Sequence, residues 1–226
     1  MNRAYYIIGL VGLNELARIC KGSEMHESQE ATDFGLKVVG FLHREAGRLS
    51  SEFGMKFVLE QSPAETTAYR FARLDLKYFS PGAGRYVLGD IAEGSIYYTN
   101  STCLNTAADI TPLLKVQEEG KFHRYLAGEV ITHLQLGDVH PGVEVLGRFV
   151  KRVFKESASR QIDFTPEFTS CLACGKTTRG LKGKCVYCGS SDVEGIAKLT
   201  KYFTKISGWN RGKLAELRNR KISRDF

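Results

Sequence analysis

Two Cys-x-x-Cys-Gly turns, Cys171-Leu-Ala-Cys174-Gly175 and Cys185-Val-Tyr-Cys188-Gly189, stand ten residues apart and constrain this chain more than any other feature. Each turn can aim two thiolates at one point, and each glycine permits the tight backbone that follows. Two such turns complete a tetrahedral four-sulfur site suited to Zn²⁺. Cys171, Cys174, Cys185 and Cys188 are therefore the expected metal ligands. Four protein thiolates leave no open position for water, so the ion is expected to be structural, stapling a segment too poor in apolar residues to fold alone.

The rest of the sequence bounds the setting. With 226 residues and 42% hydrophobic content the chain can bury a sizeable core. No stretch approaches the ~18 uninterrupted apolar residues of a membrane span, and the N-terminus has no signal-peptide pattern, so a soluble, cytoplasmic protein is expected. The formal charge of +7 is unevenly placed: residues 171–226 hold 13 Lys and Arg against 4 Asp and Glu, the remainder 19 against 21. A basic tail beside a metal knuckle is also a footprint of nucleic-acid binding, which stays open as a competing reading.

Hydrophobic periodicity alternates between strand and helix. Residues 4–8 read as a strand and 13–20 as a helix. Asp33 is a candidate N-cap for a long helix ending at Gly54, followed by a strand over 55–61. Ser62-Pro63 opens a helix reaching about Leu74, with Pro63 at its first position. Residues 79–95 are Gly-rich and loop-like, and 96–101 read as a strand. Asp109, Thr111 and Pro112 begin a helix, 129–136 alternate as a strand, 141–158 are helical in period, and 161–171 are extended. Strands alternating with helices predict βαβ units and a mostly parallel sheet.

Several longer pieces carry a resemblance: SPAETTAYRFARLD (62–75), YYTNS (97–101), FTPEFTSCLACG (164–175), CVYCGSSDV (185–193) and WNRGKLAELRNR (209–220). Their content and order resemble the anaerobic, class III ribonucleoside-triphosphate reductases across nearly the whole chain. The resemblance implies an α/β fold, the second half of a ten-stranded barrel, built as a five-stranded, mostly parallel half-sheet. It divides the chain into a half-barrel (1–168), a zinc knuckle (169–192) and a radical-loop-type segment with a C-terminal tail (193–226). It also implies that a first half, bearing the thiyl-radical cysteine, is supplied in trans, in an oligomeric assembly that reduces ribonucleotides for DNA synthesis.

By the same resemblance Ser62, Ala64, Glu65, Thr66 and Thr67 form the turn that holds the phosphates of a ribonucleoside triphosphate, with Glu65 facing the ribose. A helix N-terminus suits an anion on physical grounds as well. The spacing of Ser62 and Glu65 equally fits an ordinary capping box. Asn100 and Ser101 are secondary candidates for the pocket, whereas His123 and His133, set among apolar residues, read as structural.

One position departs from the family. The radical loop commonly reads like T-G-Y-F-S-K; here it is Thr200-Lys201-Tyr202-Phe203-Thr204-Lys205, so Lys201 stands where the radical glycine is expected. A side chain crowds the planar geometry that stabilises a glycyl radical. A separate activase carrying an iron–sulfur cluster and S-adenosylmethionine, which the resemblance implies as partner, would find no glycine at that point. Gly208 is the nearest alternative and lies several residues out of register. A nucleotide-binding homologue without turnover is accordingly the second reading.

Overall fold

The computed structural model describes residues 4–226; residues 1–3, the start of the predicted 1–168 unit, lie outside the described residues. Strand β1 (Tyr5–Gly9) runs into α1 (Leu13–Lys21) through Gly12, whose φ of 78° is open to glycine at little cost. Next come α2 (Gln29–Phe53) and β2 (Lys56–Glu60), which lies parallel to β1 with Ile7 opposite Val58. The N-cap of α2 is Ser28, so Asp33 is not the cap but sits inside the helix, accepting a 2.8 Å bond from Gln29 Nε2. The start moves upstream because Ala31, Thr32 and Gly35 already belong to the buried face. At Gly35 a Cβ would stand 2.8 Å from Met25 Sδ and 3.3 Å from Phe122 Cζ, so a larger residue would push these buried side chains aside.

Helix α3 (Glu65–Phe79) has Ala64 as N-cap and begins two residues after Pro63, not at it. The Ser62 hydroxyl turns back to the Glu60 carbonyl at 3.4 Å, so no capping box forms. The Gly-rich stretch that follows contains a short 3₁₀ turn and a hairpin of β3 (Leu88–Asp90) and β4 (Ser95–Tyr97). Helix α4 (Pro112–His123) starts as predicted, with the Thr111 hydroxyl accepting from Leu114 N at 3.2 Å and Pro112 in the first turn. Strands β5 (Thr132–Gly137) and β6 (Ile162–Pro166) pair in parallel across α5 (Val143–Glu156), a second βαβ unit.

The remaining strands are β7 (Phe168–Cys171), β8 (Thr177–Arg179), β9 (Val193–Lys198) and β10 (Phe203–Lys205). They form one antiparallel sheet in the order β10-β9-β7-β8, and α6 (Arg211–Asn219) closes the series.

The parallel strands thus form two small sheets, β1-β2 and β5-β6, in place of one continuous ladder of five. Single hydrogen bonds stitch the neighbours. Gln61 N donates to Glu129 O at 3.2 Å and Ile131 N donates to Gln61 Oε1 at 2.7 Å, joining the end of β2 to the approach to β5. On the other side Gly12 N donates to Thr99 O and Ser101 N to Leu10 O. The predicted strand over 96–101 ends at Tyr97 because the Thr99 N–H and hydroxyl both turn to the buried Glu15 carboxylate, at 3.1 and 2.7 Å.

The core has two main parts. Leu13, Val39, Leu59, Phe122 and Leu126 pack α1, α2, β2 and α4 together. Val116, Leu134, Phe149 and Val153 join α4, β5 and α5. Among the described residues no helix is long and apolar enough to cross a membrane.

Candidate functional site

The knuckle is built by the turns after β7 and before β9. In each, the first cysteine's carbonyl accepts from the glycine N–H: Gly175 N to Cys171 O and Gly189 N to Cys185 O, both at 3.0 Å. Both glycines are left-handed, with φ of 74° and 75°, where another residue would be strained. The four sulfur atoms lie within 4.8 Å of one another, with Cys171 Sγ 3.6 Å from Cys188 Sγ and Cys174 Sγ 3.6 Å from Cys185 Sγ. A tetrahedron with bonds of about 2.3 Å places sulfurs about 3.8 Å apart, so the set fits Zn²⁺ without rearrangement. Backbone N–H groups of Cys174 and Tyr187 approach Cys171 Sγ and Cys185 Sγ at 3.4 Å, a placement that favours thiolates.

The second cluster lies where the turn between β9 and β10 meets the start of α3. The Leu199 N–H donates to Tyr202 O at 2.9 Å, closing a tight turn with Thr200 and Lys201 at its tip. Thr200 donates to Glu65 Oε1 twice, from its N–H at 3.0 Å and its hydroxyl at 2.6 Å. Asn100 Nδ2 donates to both Thr200 Oγ1, at 3.0 Å, and Ser62 O, at 3.2 Å. Glu65, Ser62 and Asn100 are therefore brought together around Thr200. Thr66 and Thr67 are exposed in the first turn of α3, beside N–H groups that have no intrahelical acceptor. Ala64 is the helix cap. Ser101 is fully buried with φ 52° and its hydroxyl unpaired, facing away from solvent.

Lys201 does not hang free. Its ammonium lies 2.6 Å from Glu60 Oε1 and 3.1 Å from Glu129 Oε2. Burial alone would lower the lysine, but bonds from Glu60 and Glu129 outweigh it and hold its pKa above the ordinary value. Glu60 and Glu129 were not foreseen from the sequence, where nothing local links them to a residue far along the chain. Gly208 belongs to a 3₁₀ turn after β10.

Behind the loop, Lys213 and Arg220 on and after α6 clamp the buried Glu216 at 2.5 and 3.0 Å. Burial pushes Glu216 up, yet the two cations hold it down to about 2. His123 accepts from Arg160 N at 2.9 Å and burial lowers it to about 4, so it is a neutral structural histidine. His133 differs: Nδ1 meets Asp163 Oδ2 at 3.2 Å, and Nε2 is buried without a partner.

These elements define an α/β protein with two βαβ units, a four-thiolate metal knuckle and a loop tip seated on a helix start. The family model described as anaerobic ribonucleoside-triphosphate reductase matches residues 1–222. The chain belongs to that family. The enzyme of that description from Enterobacteria phage T4 is 24% identical over 230 residues, covering 96% of this chain and 34% of the phage protein. That of Salmonella typhimurium is 26% identical over 145 residues, 64% of this chain and 19% of its own length.

Among solved structures, an anaerobic ribonucleotide reductase superposes with a TM-score of 0.77 at 21% identity, over 100% of this chain and 35% of that one. The Thermotoga maritima enzyme solved in complex with dATP and CTP gives 0.73 at 21% identity, over 96% and 34%. The chain spans about a third of the T4 protein's length and of these solved chains.

Proposed function

We propose that this chain furnishes the C-terminal part of an anaerobic ribonucleoside-triphosphate reductase, with the rest of the enzyme acting in trans. Its share is a phosphate cradle at the start of α3, a Zn²⁺ staple in the β7–β9 sheet, and the loop of residues 199–203. The observation that carries the reading is the seating of Thr200 on Glu65 and Asn100, which sets the radical-type loop against the phosphate turn. The first-turn N–H groups, the helix dipole and the hydroxyls of Thr66 and Thr67 would receive the triphosphate, and Glu65 would face the ribose. Bound zinc would act as a structural tie through Cys171, Cys174, Cys185 and Cys188, linking β7 to β9.

The finer architecture goes with this reading. The strand segments stitched by Gln61, Gly12 and Ser101 are the members of a five-stranded half-barrel whose ladders are interrupted at their ends. Strand β1 supports a missing partner: Tyr5, Tyr6 and Ile7 are 49%, 50% and 49% exposed, although parallel strands are normally covered on both faces. The complementary part of the barrel, carrying the thiyl cysteine, is the cover proposed. A separate activase, an oligomeric assembly and a cytoplasmic setting belong to the same proposal, and the free cysteines suit a reducing compartment.

A second reading, a homologue that binds nucleotide without turnover, is favoured by Lys201 at the radical position. Both readings share the cradle. In the assembled protein, replacing Thr66 and Thr67 by valine should weaken ribonucleoside triphosphate binding at least about tenfold, since each lost bond to an anion is worth roughly 1.5–3 kcal/mol. Unchanged affinity would refute the phosphate role.

A further inference from the structure

Ligation of zinc and of a nucleotide leaves the cations around the knuckle without a role. Residues 171–191 carry Lys176, Arg179, Lys182 and Lys184 and no Asp, Glu, Asn or Gln. A Zn²⁺ held by four thiolates has a net charge of about −2, which these cations exceed. Lys182 pairs with Asp138 at 3.1 Å. Lys176, Arg179 and Lys184 pair with no carboxylate among the described residues, and both of these lysines are exposed. Unpaired cations held on a short, metal-stapled segment concentrate positive charge on one small surface.

The tips of the two turns add apolar surface to this charge. The first and fourth residues of each Cys-x-x-Cys turn are drawn to the sulfur cluster, which leaves the residues between them outside: Leu172, Val186 and Tyr187 are 56%, 61% and 56% exposed. All four sulfurs lie within 4.8 Å of one another, so the turns are neighbours. Lys176 Nζ, just after the first turn, sits 4.8 Å from the centre of the Tyr187 ring in the second. That contact steadies the ring and sets a cation beside it. An exposed aromatic ring flanked by unpaired lysines is the combination that holds single-stranded nucleic acid, with bases stacking on the ring and phosphates meeting the ammonium groups. A duplex would offer the phosphates but keep its bases stacked inside. With no carboxylate or amide side chain over 171–191 to meet a 2′-hydroxyl, and with Leu172 and Val186 beside the ring, the surface suits deoxyribose.

We propose that the outer face of the knuckle, formed by Leu172, Lys176, Lys184, Val186 and Tyr187, is a docking surface for single-stranded DNA. This goes beyond the reductase reading and stands whether or not that reading does. Fluorescein-labelled oligothymidylate, titrated with the zinc-loaded full chain and followed by fluorescence anisotropy, should bind saturably. Its affinity should fall with salt, log K against log salt having a slope of about −1.4 when Lys176 and Lys184 each neutralise one phosphate. Tyr187→Ala should weaken binding about tenfold, the loss of one stacked base. Lys184→Gln should bring the salt slope to about −0.7. An oligomer of the same length and charge without bases should bind the unaltered chain about tenfold more weakly, which decides the matter even if Tyr187→Ala disturbs the zinc turn. Duplex DNA and a ribose oligomer of the same bases should each bind more weakly than oligothymidylate. No saturable binding, or an unchanged salt slope in Lys184→Gln, would overturn the proposal. Equal binding of the baseless oligomer or the duplex would overturn it too, showing a surface that reads charge alone and suits an acidic protein as well. A ribose oligomer bound as tightly would overturn the assignment to DNA.

Discussion

Replacing Lys201 by alanine removes the ammonium whose nearest carboxylate is a buried one, Glu60, with a side chain only 8% exposed. Breaking a fully buried ion pair costs about 3–5 kcal/mol, whereas losing an exposed one costs at most about 1 kcal/mol. Lys201 is 23% exposed and also touches Glu129, itself 43% exposed, so the pair lies between these limits, and a loss of roughly 1–3 kcal/mol is expected. Most of it is the penalty of stranding Glu60 in a site with reduced access to water. Lys201→Ala combined with Glu60→Gln should therefore be more stable than Lys201→Ala alone, because the amide carries no charge to strand. Urea unfolding of the four members of this double-mutant cycle supplies the coupling directly. A single variant within about 0.3 kcal/mol of the unaltered chain, or a double variant no better than the single, would refute the pairing.

The knuckle should hold one Zn²⁺ per chain by metal analysis, and Cys174→Ser should expose the amides of β7–β9 to hydrogen exchange while α2 and α4 stay protected. Metal-free protein with an equally protected sheet would contradict the assignment. The pH dependence has two limbs of opposite sign. Glu216, held at about 2 against an ordinary 4.5, contributes stability that is complete above pH 4.5 and lost as pH falls toward 2; Glu216→Gln should flatten that acid limb in unfolding titrations. Burial raises Glu15 to about 7, so its contribution is complete below pH 4.5 and lost as pH rises through 7. Glu15→Gln should accordingly unfold with less loss between pH 5 and pH 8 than the unaltered chain.

What could be read from the sequence was local. The two Cys-x-x-Cys-Gly turns carry their geometry within five residues each, and Thr111-Pro112 announces its helix within four. The start of α3 misled because Ser62-Pro63 satisfies the rules for a cap and first turn, while the Ser62 hydroxyl actually turns back to Glu60. The strand over 96–101 was cut short by Glu15, a residue 84 positions away that captures the Thr99 N–H. Lys201 was identified by position, but its partner Glu60 lies 141 residues earlier and left no periodic trace. The antiparallel sheet of β7 to β10 was equally hidden, because its strands are short and β7 pairs with β9 across the intervening knuckle.

We propose that this chain carries the nucleotide cradle and knuckle of an anaerobic reductase with a lysine in place of the radical glycine. Electron paramagnetic resonance after anaerobic incubation with a family activase and S-adenosylmethionine tests it most directly. The unaltered chain should give no glycyl doublet, and Lys201→Gly, paired with Glu60→Gln to avoid a stranded carboxylate, should give one. A doublet from the unaltered chain that disappears in Gly208→Ala would contradict the account, placing the radical at Gly208 and the loop out of register.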